Sequence, residues 1–211
     1  MAWEPGYFQL FISHVSAYHA EASQVATWLR DRFGIHGFVA HADINPSADW
    51  QNEIENSLRT MDALVALLTP GFSASLWCNQ EVGWALGQQS LAVSVRLGED
   101  PRGFVGRFQA IPGGDRNPFG VADRVFATLA ANAATAARVG VAVSMYLRRA
   151  DSWEQVKDYI APALSRVTQF TPEALDNLEA AFNERYHVRT SRYLADIRTL
   201  LSNNGRQVPN A

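Results

Sequence analysis

Cysteine is scarce in this chain: Cys78 stands alone among 211 residues. One thiol excludes an internal disulfide and a zinc site built from several cysteines, and it fits a reducing compartment. Basic runs are missing as well. The formal net charge is −3, so the chain lacks the phosphate-neutralising surface that nucleic-acid binders carry. No apolar stretch approaches the length of a membrane span. The first residues, Met1-Ala2-Trp3-Glu4-Pro5-Gly6, have no basic start followed by an apolar core, and they do not read as a secretion signal. A cytoplasmic location is expected, with neither membrane nor nucleic acid as partner. Familiar chemical motifs are also absent. There is no Gly-x-Gly-x-x-Gly after a strand, no phosphate loop, no His-Glu-x-x-His and no Gly-x-Ser-x-Gly. Gly113-Gly114-Asp115 lies after the last expected strand and has the wrong spacing. These absences count against a dehydrogenase, a kinase, a zinc hydrolase and an esterase. His14 and His19, five apart, would splay on a helix, so no metal site is expected there.

What is present is an ordinary globular composition, 47% hydrophobic and 18% charged. The length suits one α/β domain with an appendage, or two small domains. Short apolar runs at Tyr7–Ile12, Gly37–Ala40, Ala63–Leu68 and Leu91–Val95 read as strands, with a weaker fifth at Phe108–Ile111. Helical stripes separate them: Ala22, Val25, Ala26, Leu29 and Phe33, stopped by Gly34, and then Trp50, Ile54 and Leu58. Alternation at this spacing implies a parallel sheet with right-handed crossovers. We expect a flavodoxin-like α/β fold with the first strand central. From about Val121 the pattern is helix only. It includes a capping box at Ser152 and Gln155 and a helix opened by Thr171-Pro172, with Leu175, Leu178 and Phe182 inward. The expected division is 1–135 for the sheet domain and 136–211 for a C-terminal helical region.

The most informative stretch is Ser73-Ala74-Ser75-Leu76-Trp77-Cys78-Asn79-Gln80-Glu81. It follows a buried-strand signal and the turn signal Thr69-Pro70-Gly71. Trp77 and Glu81, four apart, share a helix face. A carboxylate and an indole are thereby placed near the carboxyl end of a strand, where open α/β sheets bind ligands.

Several companions occur in order along the chain. Phe11-Ile12-Ser13-His14 closes the first strand. Asp43-Ile44-x-Pro46 follows in the second loop, and then Trp50-Gln51-x-Glu53-Ile54-x-x-Ser57-Leu58. Ser75-x-Trp77-Cys78-x-x-Glu81 comes next, and finally Gly103-Phe104-x-Gly106-x-Phe108-Gln109-Ala110-Ile111-Pro112. Together these resemble a TIR domain of the bacterial type over about residues 5–135. One departure is Ser47, which stands where the family pattern usually has glycine after the proline. The resemblance implies a five-stranded flavodoxin-like sheet and two different functions. Some TIR domains cleave NAD at the nicotinamide–ribose bond. The bacterial ones of this kind resemble anti-phage defence proteins, Thoeris systems included, that make a cyclic or modified ADP-ribose signal read by a separate effector. Others are non-catalytic adaptors that bind further TIR domains. Enzymatic members carry a glutamate at the position of Glu81, so the resemblance favours NAD cleavage. It implies NAD as substrate with no separate cofactor and no metal, and self-association through TIR domains.

The residues suit that chemistry. Nicotinamide leaves as a neutral molecule, so no acid is needed to protonate it. One carboxylate suffices to hold the ribose hydroxyls and stabilise oxocarbenium-like charge. The helix dipole is expected to bias Glu81 toward its ionised form, the state this chemistry requires. Trp77 would offer an aromatic face and shape the product. Ser13, His14 and the loop from Asp43 to Trp50 would line the rest of the cleft. Plainer roles compete at each position. Trp77 could equally be core, His14 a structural hydrogen-bonding residue, Asp43 a loop-shaping residue and Trp50 an anchor for the loop. Cys78 is expected to pack as a small hydrophobe, with Trp84 and Trp153 as packing residues. Arg148, Arg149 and Arg189 are expected on solvated faces. A third reading, beside enzyme and adaptor, is a domain that senses NAD or an analogue without turnover.

Overall fold

A computed structural model describes residues 3–40, 50–107, 109–114 and 117–206. The chain divides into two compact units, one formed by 1–30 with 35–128 and the other by 31–34 with 129–211. The second unit therefore takes in a short segment far upstream of the helical region expected from 136 onward.

The first unit is built on a five-stranded sheet. Its strands are β1 (Phe8–Ser13), β2 (Ile35–Val39), β3 (Ala63–Leu68), β4 (Leu91–Arg96) and β5 (Ile111–Pro112). All neighbours pair in parallel, in the order β2-β1-β3-β4-β5. This is the flavodoxin-like order, with its switch point between β1 and β3. The middle strand is β3, not β1. Its unbroken apolar run is buried at every residue, as expected for a parallel strand covered on both faces. β1 sits one place nearer the edge. β5 is shorter than the pattern suggested, starting three residues later and ending one residue later. It is an edge pair set by its register with Val95 and Arg96 rather than by an apolar run of its own.

The helices that matter for the site are α1 (His19–Phe33), α2 (Trp50–Thr60) and α3 (Leu76–Gly87). α1 ends at Gly34, whose φ of +66° favours a residue without Cβ. Ile54 and Leu58 of α2 and Cys78 and Val82 of α3 pack with Phe11, Phe38, Leu64 and Leu68 of the sheet in one core. Each such large side chain, fully buried, contributes roughly 1.5–3 kcal/mol of transfer free energy. α4 (Pro118–Ala131) follows β5.

The second unit is helical. α5 (Ala136–Arg148) packs chiefly on α7 (Pro172–Glu184), with Val139, Val143 and Leu147 facing a core that includes Leu175, Leu178 and Phe182. Thr171 caps α7 by accepting from the Ala174 amide at 3.2 Å, and Pro172 fills the first helical position. The Ser152 hydroxyl accepts from the Gln155 amide at 3.2 Å. The return bond shifts by one residue, because the Gln155 side chain accepts from Asp151 N at 2.8 Å. A π-helical stretch, Gln155–Ile160, then runs into α6 (Ala161–Leu164), and α8 (Tyr186–Arg189) and α9 (Leu194–Asn203) complete the unit. Trp153 is half exposed, so it is no core residue. Its ring meets His187 edge-on at 4.9 Å, and its Nε1 donates to Thr190 Oγ1 at 2.8 Å. Arg148 and Arg189 lie on solvated faces as expected, Arg148 against Glu184 at 3.4 Å and Arg189 donating to Asn183 O at 2.9 Å.

Candidate functional site

The site is assembled where β1 ends beside α3, at the switch point of the sheet. Leu67 and Leu68 close β3, and Gly71, with φ +95°, turns the chain toward α3. The turn is fastened from outside. The Glu99 carboxylate accepts the amides of Gly71 at 2.8 Å, Phe72 at 3.1 Å and Ser73 at 3.0 Å, and also the Ser73 hydroxyl. That hydroxyl first, and the backbone N–H groups with it, hold the Glu99 carboxyl below its ordinary value. Ser75 then caps α3, its hydroxyl accepting from Cys78 N at 3.3 Å.

Glu81 lies in the second turn of α3 and is only 5% exposed. Its Oε2 accepts the Ser13 hydroxyl at 2.5 Å, across 68 residues of sequence. Burial raises the Glu81 carboxyl from the ordinary 4.5 to about 7, and the Ser13 hydrogen bond opposes that rise. Any bias of the helix dipole toward the ionised form is outweighed here by burial. The dipole acts mainly within the first turn, whereas desolvation acts on the whole buried carboxyl and outweighs it. Near neutral pH the group is poised between its two forms.

Its neighbours are packed tightly. Cys78 is buried and its thiol donates to His14 O at 3.3 Å. Burial pushes that thiol up from its ordinary value, as befits the inert packing residue expected here. His14 is buried too, with Nδ1 3.1 Å from Ile12 O. Its ring lies 5.7 Å from that of His19. The helical splay assumed for this pair does not apply, because α1 begins only at His19. No group of three or more metal-ligating side chains occurs among the described residues.

Glu81 faces a groove of about 250 Å³ between α2 and α3. α3 contributes Trp77, Gln80, Glu81 and Trp84, and α2 contributes Gln51, Ile54, Glu55 and Leu58. Trp77 is 44% exposed, so it is not a fully buried core residue. The residues lining the groove do not include Ser13 or His14; Ser13 reaches it only through Glu81. Asp43 and its loop lie outside the described residues. Trp50 opens α2, and its side chain is likewise outside what is described. Sequence reasoning missed Trp84, Gln51, Glu55 and Gln80. The signal was there in part, since Trp84 follows Trp77 by seven residues and Gln51, Glu55 and Leu58 repeat at helical spacing. Chemically, the groove offers one poised buried carboxyl, one exposed carboxylate and two indoles. Among the described residues, no single helix is long and apolar enough to cross a membrane.

A protein-family model described as TIR domain matches residues 10–118, a span that includes both Ser13 and Glu81. Among solved structures, the chain is similar to the TIR domain of the Toll-related receptor TRR-2 from Hydra magnipapillata. That similarity has 13% identity and a TM-score of 0.46, and covers 56% of this chain and 94% of that one. No curated protein matches the chain.

Proposed function

The chain belongs to the TIR domain family, and on that premise we propose that it cleaves NAD at the nicotinamide–ribose bond, with Glu81 as the catalytic carboxylate. The observation that carries this reading is the buried Glu81 held by Ser13 at 2.5 Å on the wall of an aromatic groove. A solvated helix glutamate needs neither burial nor a dedicated hydroxyl, and perturbed carboxyls in clefts mark functional sites. As the glycosidic bond stretches, positive charge leaves the pyridinium and builds on the ribose. An ionised carboxylate in a desolvated groove stabilises that charge more than it stabilises the ground state. The Ser13 hydroxyl orients the carboxylate and favours its ionised form. Nicotinamide leaves with the bonding pair, and the anomeric carbon is captured by water, which loses a proton to give ADP-ribose, or by another nucleophile to give a cyclic or modified form. The product serves as a signal for a separate effector in antiviral defence. Self-association through TIR domains, in the cytoplasm, belongs to the same reading.

The test is nicotinamide release from NAD by the purified full chain, alone and with a phage-derived activator, followed by chromatography and mass spectrometry of the products. Wild-type protein is expected to release nicotinamide and Glu81→Ala to release none while keeping its fold. No release by wild-type protein under any of these conditions would sink the enzyme reading. A second reading, a non-catalytic TIR interaction module, is favoured by the exposed Leu76 and Phe104, at 77% and 64%. It expects partner binding that survives Glu81→Ala.

A further inference from the structure

We propose that Trp84 is a second ring-binding wall of the groove and selects a planar aromatic cation as the group bound beside Glu81. This rests on the reading of the groove as the NAD site, and it adds both a specificity-determining residue and an orientation. Trp84 follows Glu81 by three residues and Trp77 by seven, so all three project from one side of α3. The two indoles are spaced about 10 Å along the helix axis, with the carboxyl between them.

Trp84 is not there to fill the core. It is 36% exposed, while its helical neighbours Val82 and Ala85 are buried. It is nevertheless held in place. With its amide oriented to satisfy both neighbours, Gln88 accepts from Trp84 Nε1 at 3.0 Å and donates to Leu58 O at 3.0 Å. That bridge ties the indole nitrogen to α2, on the opposite side of the groove. An indole anchored in this way gives the groove π surface while its one donor is engaged.

Charge decides which ligand fits. Among the described residues, the charged ones lining the groove are Glu55 and Glu81, both acidic. A diphosphate would find only like charge among these lining residues. A ring cation finds aromatic faces and carboxylates, the combination that favours it most. Size agrees: about 250 Å³ is below the range that encloses a drug-sized ligand, and it suits a base with its ribose rather than a whole dinucleotide. The cationic nicotinamide–ribose half therefore enters between the tryptophans, and the diphosphate and second nucleoside stay outside.

The probe is 1-methylnicotinamide, a permanent pyridinium cation with no glycosidic bond to break, compared with neutral nicotinamide. Binding to the full chain is followed by calorimetry, with circular dichroism as the check on fold. The cation is expected to bind at least tenfold more tightly than nicotinamide, to weaken about tenfold in Trp84→Ala and to recover in Trp84→Phe. In NAD cleavage, Trp84→Ala is expected to raise KM more than it lowers kcat. Equal affinity of the folded Trp84→Ala variant and wild type for the cation overturns the proposal, as does equal affinity for cation and neutral ring. If the cation binds as expected and NAD is never cleaved, the ring site stands and the enzyme reading falls. If NAD is cleaved and Trp84→Ala changes neither binding nor KM, the enzyme reading stands and the role of Trp84 falls.

Discussion

Glu81 and Glu99 both bear on α3, and their surroundings are opposite. Glu99 sits near the surface and gathers three backbone amides and a hydroxyl around the turn before the helix. Glu81 is buried within the helix and receives one hydroxyl, from Ser13. The first carboxyl is held below its ordinary value; the second is raised to about 7. Hydrogen-bond donors compensate Glu99 for whatever water it loses. One donor does not compensate Glu81 for nearly complete desolvation. A fold that solves the first problem so fully yet leaves the second partly unsolved keeps a carboxyl where its charge is costly, and the proposed role of Glu81 rests on that perturbation.

The largest effect expected from that contrast is at Glu81 itself. Glu81→Gln removes the charge and keeps the shape. It is expected to reduce nicotinamide release by on the order of 10²–10³ or more, while the wild-type rate climbs as pH rises through about 7. Stability should move the other way. A carboxyl raised on folding takes up protons, so its burial costs little below the unfolded value near 4.5 and most above the folded value of about 7. The variant should therefore match wild type near pH 4 and exceed it by on the order of 3 kcal/mol near pH 8, as read by urea unfolding. A stability difference that does not grow with pH would show that Glu81 is not penalised by burial.

The next effect is smaller and isolates the one hydrogen bond. The Ser13 hydroxyl holds the Glu81 carboxyl down against burial, so Ser13→Ala is expected to raise it further. The midpoint of the pH–activity profile should move above about 7, with activity at neutral pH falling by several-fold and recovering at higher pH. A profile that drops uniformly without moving would mean that Ser13 acts on packing rather than on ionisation.

How much of this was readable in the chain follows from which forces were local. β3 is legible to the residue because Ala63–Leu68 is a continuous apolar run between breakers, a purely local signal. The two-residue β5 is not, because its pairing with β4 defines it. The position of Glu81 four residues after Trp77 is written in the sequence, but its protonation is not. That depends on Ser13, 68 residues away, and on the packing that excludes water. Trp84 reads as a packing residue in the sequence because it falls at helical spacing with other apolar residues, and α3 carries many of them, Leu76, Trp77, Cys78, Val82 and Ala85. Periodicity cannot then separate the buried side from the groove side. Exposure, set by what α2 and the sheet cover, makes the distinction.

The smallest effect is expected at Glu99. Its carboxyl is held below the ordinary value, so the sign is the reverse of that for Glu81. Its contribution is complete above the unfolded value near 4.5 and is lost as pH falls through the folded value. Because the group lies close to solvent, screening limits that contribution to about 1 kcal/mol. Glu99→Gln keeps an acceptor oxygen but loses the charge. It should lower stability modestly at pH 7, with the deficit shrinking in acid, and should leave the pH–activity midpoint where wild type has it. Urea unfolding at pH 7 and pH 4, run beside the activity profile, makes the comparison. A shifted midpoint would mean that the turn before α3 and the carboxyl within it are electrostatically one site, and the contrast between the two glutamates would collapse.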